Sequence, residues 1–199
     1  MSAMIQPSLF EPAPFPETVL AEDAEGGIVH RPGFVESSLA GQWFQVLRHE
    51  VPWQIQRRPM YDRVVDVPRL VASFSLSAPD LPQPIQDAAR RLRDELGVPF
   101  NEVGLNCYRD GRDSVAPHND KLHSLVPGHP IALLSLGAAR RMTIRAKLAP
   151  RRALHIELAA GSLLLMSHAS QRHFDHGIPK TRDPVGPRIS LAFRVRPPH

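Results

Sequence analysis

The chain has 199 residues, 42% of them apolar, with a formal net charge of +4 at pH 7. That length suits one domain with a real core, no run of about 18 apolar residues offers a transmembrane helix, and the N-terminus lacks the pattern of a signal peptide. The single cysteine, Cys107, excludes an internal disulfide, so a reducing cytoplasm and a monomer are expected; the positive charge is compatible with a nucleic-acid partner without requiring one.

Residues 1–17 carry Pro7, Pro12, Pro14 and Pro16 with little periodicity and read as a mobile arm ahead of one domain over 18–199. Within the arm, Gln6-Pro7-Ser8-Leu9-Phe10 resembles the short Gln-x-Ser-Leu-Phe peptide with which bacterial replication and repair proteins dock on the DNA sliding clamp. The alternative for Leu9 and Phe10 is to fold back on the core.

A helix is expected from Ser37 or Ser38, with Leu39, Trp43, Val46 and Leu47 at helical spacing up to Pro52. Residues 53–63 then concentrate Trp53, Arg57, Arg58, Tyr61 and Arg63. Aromatics interleaved with arginines can stack bases and hold phosphates; they equally suit a solvated edge. Residues 64–74 are strand-like. A second helix starts near Pro84, carries Ile85, Ala89, Leu92 and Leu96 on its apolar stripe and ends at Gly97. After that the period switches to two. Short strand-like segments cover 103–108, 131–136, 142–148, 154–158, 162–166 and 188–195. Two helices followed by many short strands predict an α+β fold, a jelly-roll-like double sheet with the helices packed outside.

The chemistry starts at His118-Asn119-Asp120. In an extended segment residues two apart share a face, so His118 and Asp120 can offer an imidazole nitrogen and a carboxylate oxygen to one point. A third ligand has three candidates downstream, His168, His173 and His176. Two histidines and a carboxylate suit a non-haem Fe(II) oxygenase and also a zinc hydrolase. The last strand bears on that choice. Arg188 and Arg194 are six residues apart on one face, with Ser190 and Ala192 between them, about 20 Å along a strand at roughly 3.3 Å per residue. Guanidinium forks bind carboxylates bidentately, and inward-leaning side chains leave a gap suited to a five-carbon dicarboxylate. The opposing reading is two outward arginines, with Ile189, Leu191, Phe193 and Val195 facing the core.

Taken together, Asn106-x-Tyr108, His118-x-Asp120, His176 and Arg188-x-x-x-x-x-Arg194 resemble the AlkB family of Fe(II)/2-oxoglutarate-dependent dioxygenases. Tyr108-Arg109-Asp110-Gly111, Ser135-Leu136-Gly137 and His176-x-Ile178-Pro179-Lys180 agree with it, and the likeness spans roughly residues 35–196. The resemblance implies a double-stranded β-helix core with a nucleotide-recognition lid. It implies His118, Asp120 and His176 as iron ligands and Arg188 and Tyr108 as holders of the distal carboxylate of 2-oxoglutarate. Asn106 would be a second polar contact to the cosubstrate, and Arg194 would lie near its metal-bound end. The implied reaction uses Fe(II), 2-oxoglutarate and O2 to dealkylate N-alkylated bases of DNA or RNA, releasing aldehyde, succinate and CO2.

Two departures bear on the substrate. Where many DNA-repairing members place acidic residues, this chain continues Lys121-Leu122-His123, and the segment from Phe74 to Leu81 is short where relatives carry an aromatic hairpin. Trp53, Tyr61, Arg69 and Phe74 are the candidate substrate contacts. Alternatives are an oxygenase of the same type acting on a protein or small molecule, a nucleic-acid-binding scaffold with an inactive site, and a zinc hydrolase, which has no use for the arginine pair.

Overall fold

The computed structural model describes residues 16–60 and 63–198. Tyr61 and residues 6–10 therefore lie outside the described residues. The chain runs β1 (Thr18–Ala21), β2 (Ile28–Arg31), α1 (Ser37–Glu50), β3 (Gln54–Met60), β4 (Arg63–Ser75), α2 (Gln83–Leu96), β5 (Glu102–Tyr108) and β6 (Val115–His118). It continues with β7 (Ile131–Gly137), β8 (Arg140–Ala146), β9 (Ala153–Leu158), β10 (Leu163–Met166), α3 (Ser170–His173), β11 (Phe174–Ile178) and β12 (Arg188–Arg194).

Helix α1 begins where the Glu36 carboxylate accepts from the backbone N–H groups of Ser38 and Leu39. It buries Ala40, Trp43, Phe44 and Leu47, and Arg48 and His49 sit in its last turn, where the helix dipole favours positive charge. Helix α2 opens with Pro84 in its first turn and closes on Gly97, which takes the left-handed conformation that glycine tolerates best. Its buried stripe is Ile85, Ala88 and Leu92.

The strands form two antiparallel sheets, an eight-stranded one ordered β1-β2-β10-β7-β12-β5-β4-β3 and a four-stranded one ordered β6-β11-β8-β9. Two apolar layers result. One lies between α1, α2 and the outer face of the large sheet and holds Leu105, Leu134, Ile189, Leu191 and Phe193. The other fills the space between the sheets with Ile131, Leu164, Ile144 and Ile178 among its members. This is a jelly-roll core with helices against one sheet. The central strands of the large sheet are thus buried on both faces, and all but the last residue of β12 are buried. No helix of the described residues is long and apolar enough to cross a membrane.

The region expected to form a lid is the β3–β4 hairpin, which extends the large sheet by two strands. Its register shifts between Ile55 and Arg57, opposite the stretch containing Pro68, a residue that cannot donate to a ladder. The Pro68 carbonyl instead accepts from the Ser114 N–H.

Candidate metal and cosubstrate site

Strand β12 presents Arg188, Ser190, Ala192 and Arg194 to the space between the sheets. In register, Arg188 stands opposite Tyr108, Ser190 opposite Asn106 and Ala192 opposite Gly104, while Ser135 flanks Ser190 from β7. Directly opposed residues share a face, so these side chains form one polar floor inside an otherwise apolar barrel.

Arg188 is fully buried. Its Nη2 donates to Ser135 Oγ at 2.8 Å, but its Nε and Nη1 have no partner among the described residues. The guanidinium carbon lies 5.2 Å from the centre of the Tyr108 ring. Burial pushes the Tyr108 phenol up, against the opposing pull of Arg188, Arg69 and Arg140, so its hydroxyl stays protonated and can donate to an anion. A buried cation with no anionic partner costs several kcal/mol. An anion between Arg188 and Tyr108 removes that cost, and a carboxylate matches both the fork and the phenol. Asn106 is oriented by Arg69, whose Nε donates to its Oδ1 at 2.6 Å.

The metal-ligand candidates come from the small sheet and the loop after β6. His118 and His176 are cross-strand partners, and their ring centres are 4.5 Å apart. His118 Nδ1 lies 2.9 Å from the Ala116 carbonyl oxygen. That contact places the proton on Nδ1 and leaves the Nε2 lone pair for a metal. His176 is pushed down to about 4 by burial first and then by the neighbouring His118, so at neutral pH it is the uncharged imidazole a metal requires.

Asp120 is placed differently. Its Oδ2 accepts from Arg194 Nε at 2.6 Å and its Oδ1 from Arg194 Nη2 at 3.2 Å. Burial raises its carboxyl, but the Arg194 charge and hydrogen bonds, with the two histidines, hold it below the usual carboxylate range. The backbone N–H of Asp120 donates to Gln171 Oε1 at 3.0 Å. Arg194 reaches across the strand because residue 104 is glycine, where an added Cβ would sit 3.3 Å from Nη1. Thus the structure stands the two imidazoles together and turns the carboxylate to Arg194. Among the described residues no three His, Cys, Asp or Glu side chains are already gathered to hold a metal ion. The fork occupies one lone pair on each oxygen of Asp120, and the others stay available to a cation. The donor set therefore fits a divalent iron in type.

Of the substrate candidates, Arg69 lies at the site. Trp53 and Phe74 both pack on the helix side, although Phe74 also borders the groove beside Arg194. The Trp53 indole N–H donates to the Arg48 carbonyl at 3.3 Å, and both rings pack against the helix-side apolar layer. The register explains it: Phe74 stands opposite the fully buried Val103, whereas Ser73 stands opposite Gly104 on the inner face. A groove of about 570 Å³ beside Arg194 and Asn106 is bordered by Phe74 but is otherwise set with Gln54, Gln56, Ser73 and Glu102. His173 is exposed and His168 is buried with its Nε2 unpartnered among the described residues. Three contributors were given no role in the sequence reading, although the stretch holding Ser135 carries part of the family resemblance. Ser135, partner of Arg188, is the lone polar residue in the apolar run 131–136, a usable signal. Arg140 is buried and donates to the carbonyls of Asp110, Asp113 and Pro179. Gln171 meets Asp120 from 51 residues away and had no local signature.

Residues 73–194 match the model of the 2OG-Fe(II) oxygenase superfamily. The chain belongs to that superfamily. Its similarity to curated AlkB homologues places it in the AlkB family. It is 33% identical over 177 residues to the human protein named DNA oxidative demethylase ALKBH2, an alignment covering 78% of this chain and 68% of that protein. It is 31% identical over 183 residues to the human alpha-ketoglutarate-dependent dioxygenase alkB homolog 3, covering 82% of this chain and 64% of that one. This AlkB-family dioxygenase thus spans about two thirds of the length of either. In fold it resembles OsALKBH1, with a TM-score of 0.57 at 16% identity over 91% of this chain and all of that one. It also resembles a Pseudomonas putida prolyl-4-hydroxylase, with a TM-score of 0.53 at 17% identity over 86% and 94% of the two chains.

Proposed function

We propose that this dioxygenase oxidatively dealkylates N-alkylated bases in DNA or RNA. The observation that carries the reading is the buried Arg188 beside Tyr108, with two nitrogens unpartnered among the described residues, on the same strand as the Arg194 that holds Asp120. The names of the relatives support the substrate class. His118 Nε2, His176 and a free lone pair of Asp120 would hold Fe(II), while Arg188, Tyr108 and the Asn106 amide would hold 2-oxoglutarate. Bound there, Fe(II) with 2-oxoglutarate and O2 supplies oxidation of an N-alkyl carbon, with succinate, CO2 and an aldehyde as products.

The chain's own part is geometric. Arg188 and Tyr108 fix the cosubstrate from its far end. Ser135 fixes Arg188, Arg69 fixes Asn106, and Arg194 keeps Asp120 ionised and in place. The apolar layer between the sheets excludes water behind the site. The polar groove beside Arg194 is where the base to be repaired would enter, with Gln54, Gln56 and Ser73 supplying hydrogen bonds to it; a lesion that is already unpaired costs less to extract.

The assay is succinate and formaldehyde release with Fe(II) and 2-oxoglutarate. Stimulation by single-stranded oligonucleotides bearing 1-methyladenine or 3-methylcytosine, and none by undamaged ones, is the expected result. Turnover indifferent to nucleic acid would instead favour an oxygenase of a protein or small molecule. A second reading is favoured by the lining of the groove, in which Phe74 is the one aromatic ring among the described residues, beside Gln54, Gln56, Ser73 and Asn106. Docking on the DNA sliding clamp through residues 6–10 belongs to the same proposal. A peptide of that sequence should compete for the clamp, and Leu9→Ala with Phe10→Ala should abolish the competition.

A further inference from the structure

We infer that Gln171 is a positioning residue for Asp120 and that a hydrogen-bonded relay anchors it to the β1–β2 turn. The inference rests on the metal assignment above. Two different elements hold Asp120. Arg194 holds its carboxylate, and Gln171 Oε1 receives its backbone N–H at 3.0 Å. Strand β6 ends at His118, so the chain carrying Asp120 has left the sheet, and a side chain does what a ladder partner would otherwise do.

Gln171 is suited to that task because it is itself fixed. It is only 1% exposed, it sits in the single turn α3, its N–H donates to the His168 carbonyl and its own carbonyl accepts from Lys147 Nζ at 2.8 Å. Its Nε2 donates to Ser170 Oγ at 3.3 Å. The Ser170 N–H donates to Ser167 Oγ at 2.8 Å, and Ser167 Oγ donates in turn to Asp23 Oδ2 at 2.5 Å. Asp23 is pinned by the N–H groups of Glu25 and Gly27 on its other oxygen. Glu25 adds a parallel tie through Ala169 N–H at 2.7 Å. Asp23, Ser167, Ser170, Gln171 and Asp120 thus form one line from the first hairpin to the candidate ligand. A buried amide that met no partner would be costly, so the line is self-consistent: each member satisfies the next.

If this line sets the ligand, cutting it weakens the metal more than the fold. Gln171→Leu keeps the volume and removes the acceptor. It should weaken Co(II) or Mn(II) binding, read by calorimetry, by roughly 10- to 100-fold, the range for partners of metal ligands. The Co(II) absorption bands should shift with it. Asp23→Asn, four links away and on the surface side, should move the same readouts in the same direction by less. Gln171→Asn keeps both the acceptor and the donor on a side chain one methylene shorter, and should fall between Gln171→Leu and wild type in Co(II) affinity and spectrum. Unchanged Co(II) affinity and spectrum in Gln171→Leu, with only a lowered Tm, would make Gln171 a packing residue and overturn the inference. Should Gln171→Leu fail to fold, the same spectroscopic comparison on Asp23→Asn and Ser170→Ala decides, and wild-type binding in both overturns it. Wild-type protein that binds no Co(II) would overturn the metal assignment itself, a result distinct from a failed relay.

Discussion

The last strand carries two guanidinium groups on one face, and its two ends treat them in opposite ways. Arg188 is wholly enclosed, with one bond to Ser135 and two nitrogens unpartnered among the described residues. Arg194 uses all three of its nitrogens, two on Asp120 and one on the Ala192 carbonyl. At one end a buried charge waits for an anion from outside; at the other the chain supplies its own. The first end binds, and the second braces. An identical residue type, on the same strand face, thus does two jobs because of what stands opposite it.

The largest expected effect removes what both ends serve. His118→Ala deletes the exposed imidazole of the pair and should take 2-oxoglutarate turnover to background and abolish tight Co(II) binding; retained turnover would remove His118 from the metal.

Next come the two arginines, in which stability should move in opposite directions. Arg194→Met leaves the Asp120 carboxylate, itself mostly buried, without its counter-charge, and should destabilise the protein by about 3–5 kcal/mol. Arg188→Met removes an unpaired buried charge and should leave the cosubstrate-free protein as stable or more stable, by about 1–4 kcal/mol. The same variant should raise the half-saturating 2-oxoglutarate concentration about 10- to 150-fold, the equivalent of a charge-assisted hydrogen bond of about 1.5–3 kcal/mol. Urea unfolding of the two variants checks the pair. A destabilised Arg188→Met protein would mean that Arg188 is satisfied without a ligand.

That asymmetry was only partly legible in the sequence. The alternation Arg188, Ser190, Ala192, Arg194 against Ile189, Leu191, Phe193, Val195 showed two faces, yet it left open which one met the core. Both do, because helices cover one face of the large sheet and the small sheet covers the other. Strand period alone cannot report a second covering layer. His118 and Asp120 were legible as same-face residues because the motif is local. Gln171 was not, since its meeting with Asp120 depends on the whole barrel closing. The face of Phe74 was not legible for a related reason: it is set by the register of β4 on β5, which is not written in the aromatic spacing. Strands β6 and β11, four and five residues long, are too short for periodicity to declare them.

A smaller effect separates two of the candidate metal ligands by pH. His176 lies at about 4 against an ordinary 6.5. Between those values the unfolded chain takes up a proton that the folded chain refuses, so falling pH removes stability, about 3 kcal/mol across the window. Asp120, with its carboxyl below 3.8, keeps its contribution throughout that window and loses it only at still lower pH. Unfolding of metal-free protein at pH 7, 5.5 and 4.5 should show the loss, and His176→Gln should flatten it. A slope that survives the substitution would assign the proton uptake to another group.

The smallest effect tests how rigid the bracing end is. Gly104→Ala would gain roughly 0.5–1 kcal/mol, because alanine loses less backbone freedom on folding than glycine does. Against that, the new Cβ would stand 3.3 Å from Arg194 Nη1, tighter than comfortable contact, and the guanidinium would have to give by a few tenths of an ångström. A free side-chain end would give easily. This one is tied at Nε, Nη1 and Nη2 at once, so moving it lengthens the bonds that keep Asp120 ionised. The displacement should outweigh the entropy gain, leaving the variant less stable by about 1 kcal/mol, the worth of one ordinary hydrogen bond, with a weaker hold on Co(II). A Tm equal to or above wild type would mean that Arg194 shifts at no cost, and then the contrast with Arg188 would be one of burial alone.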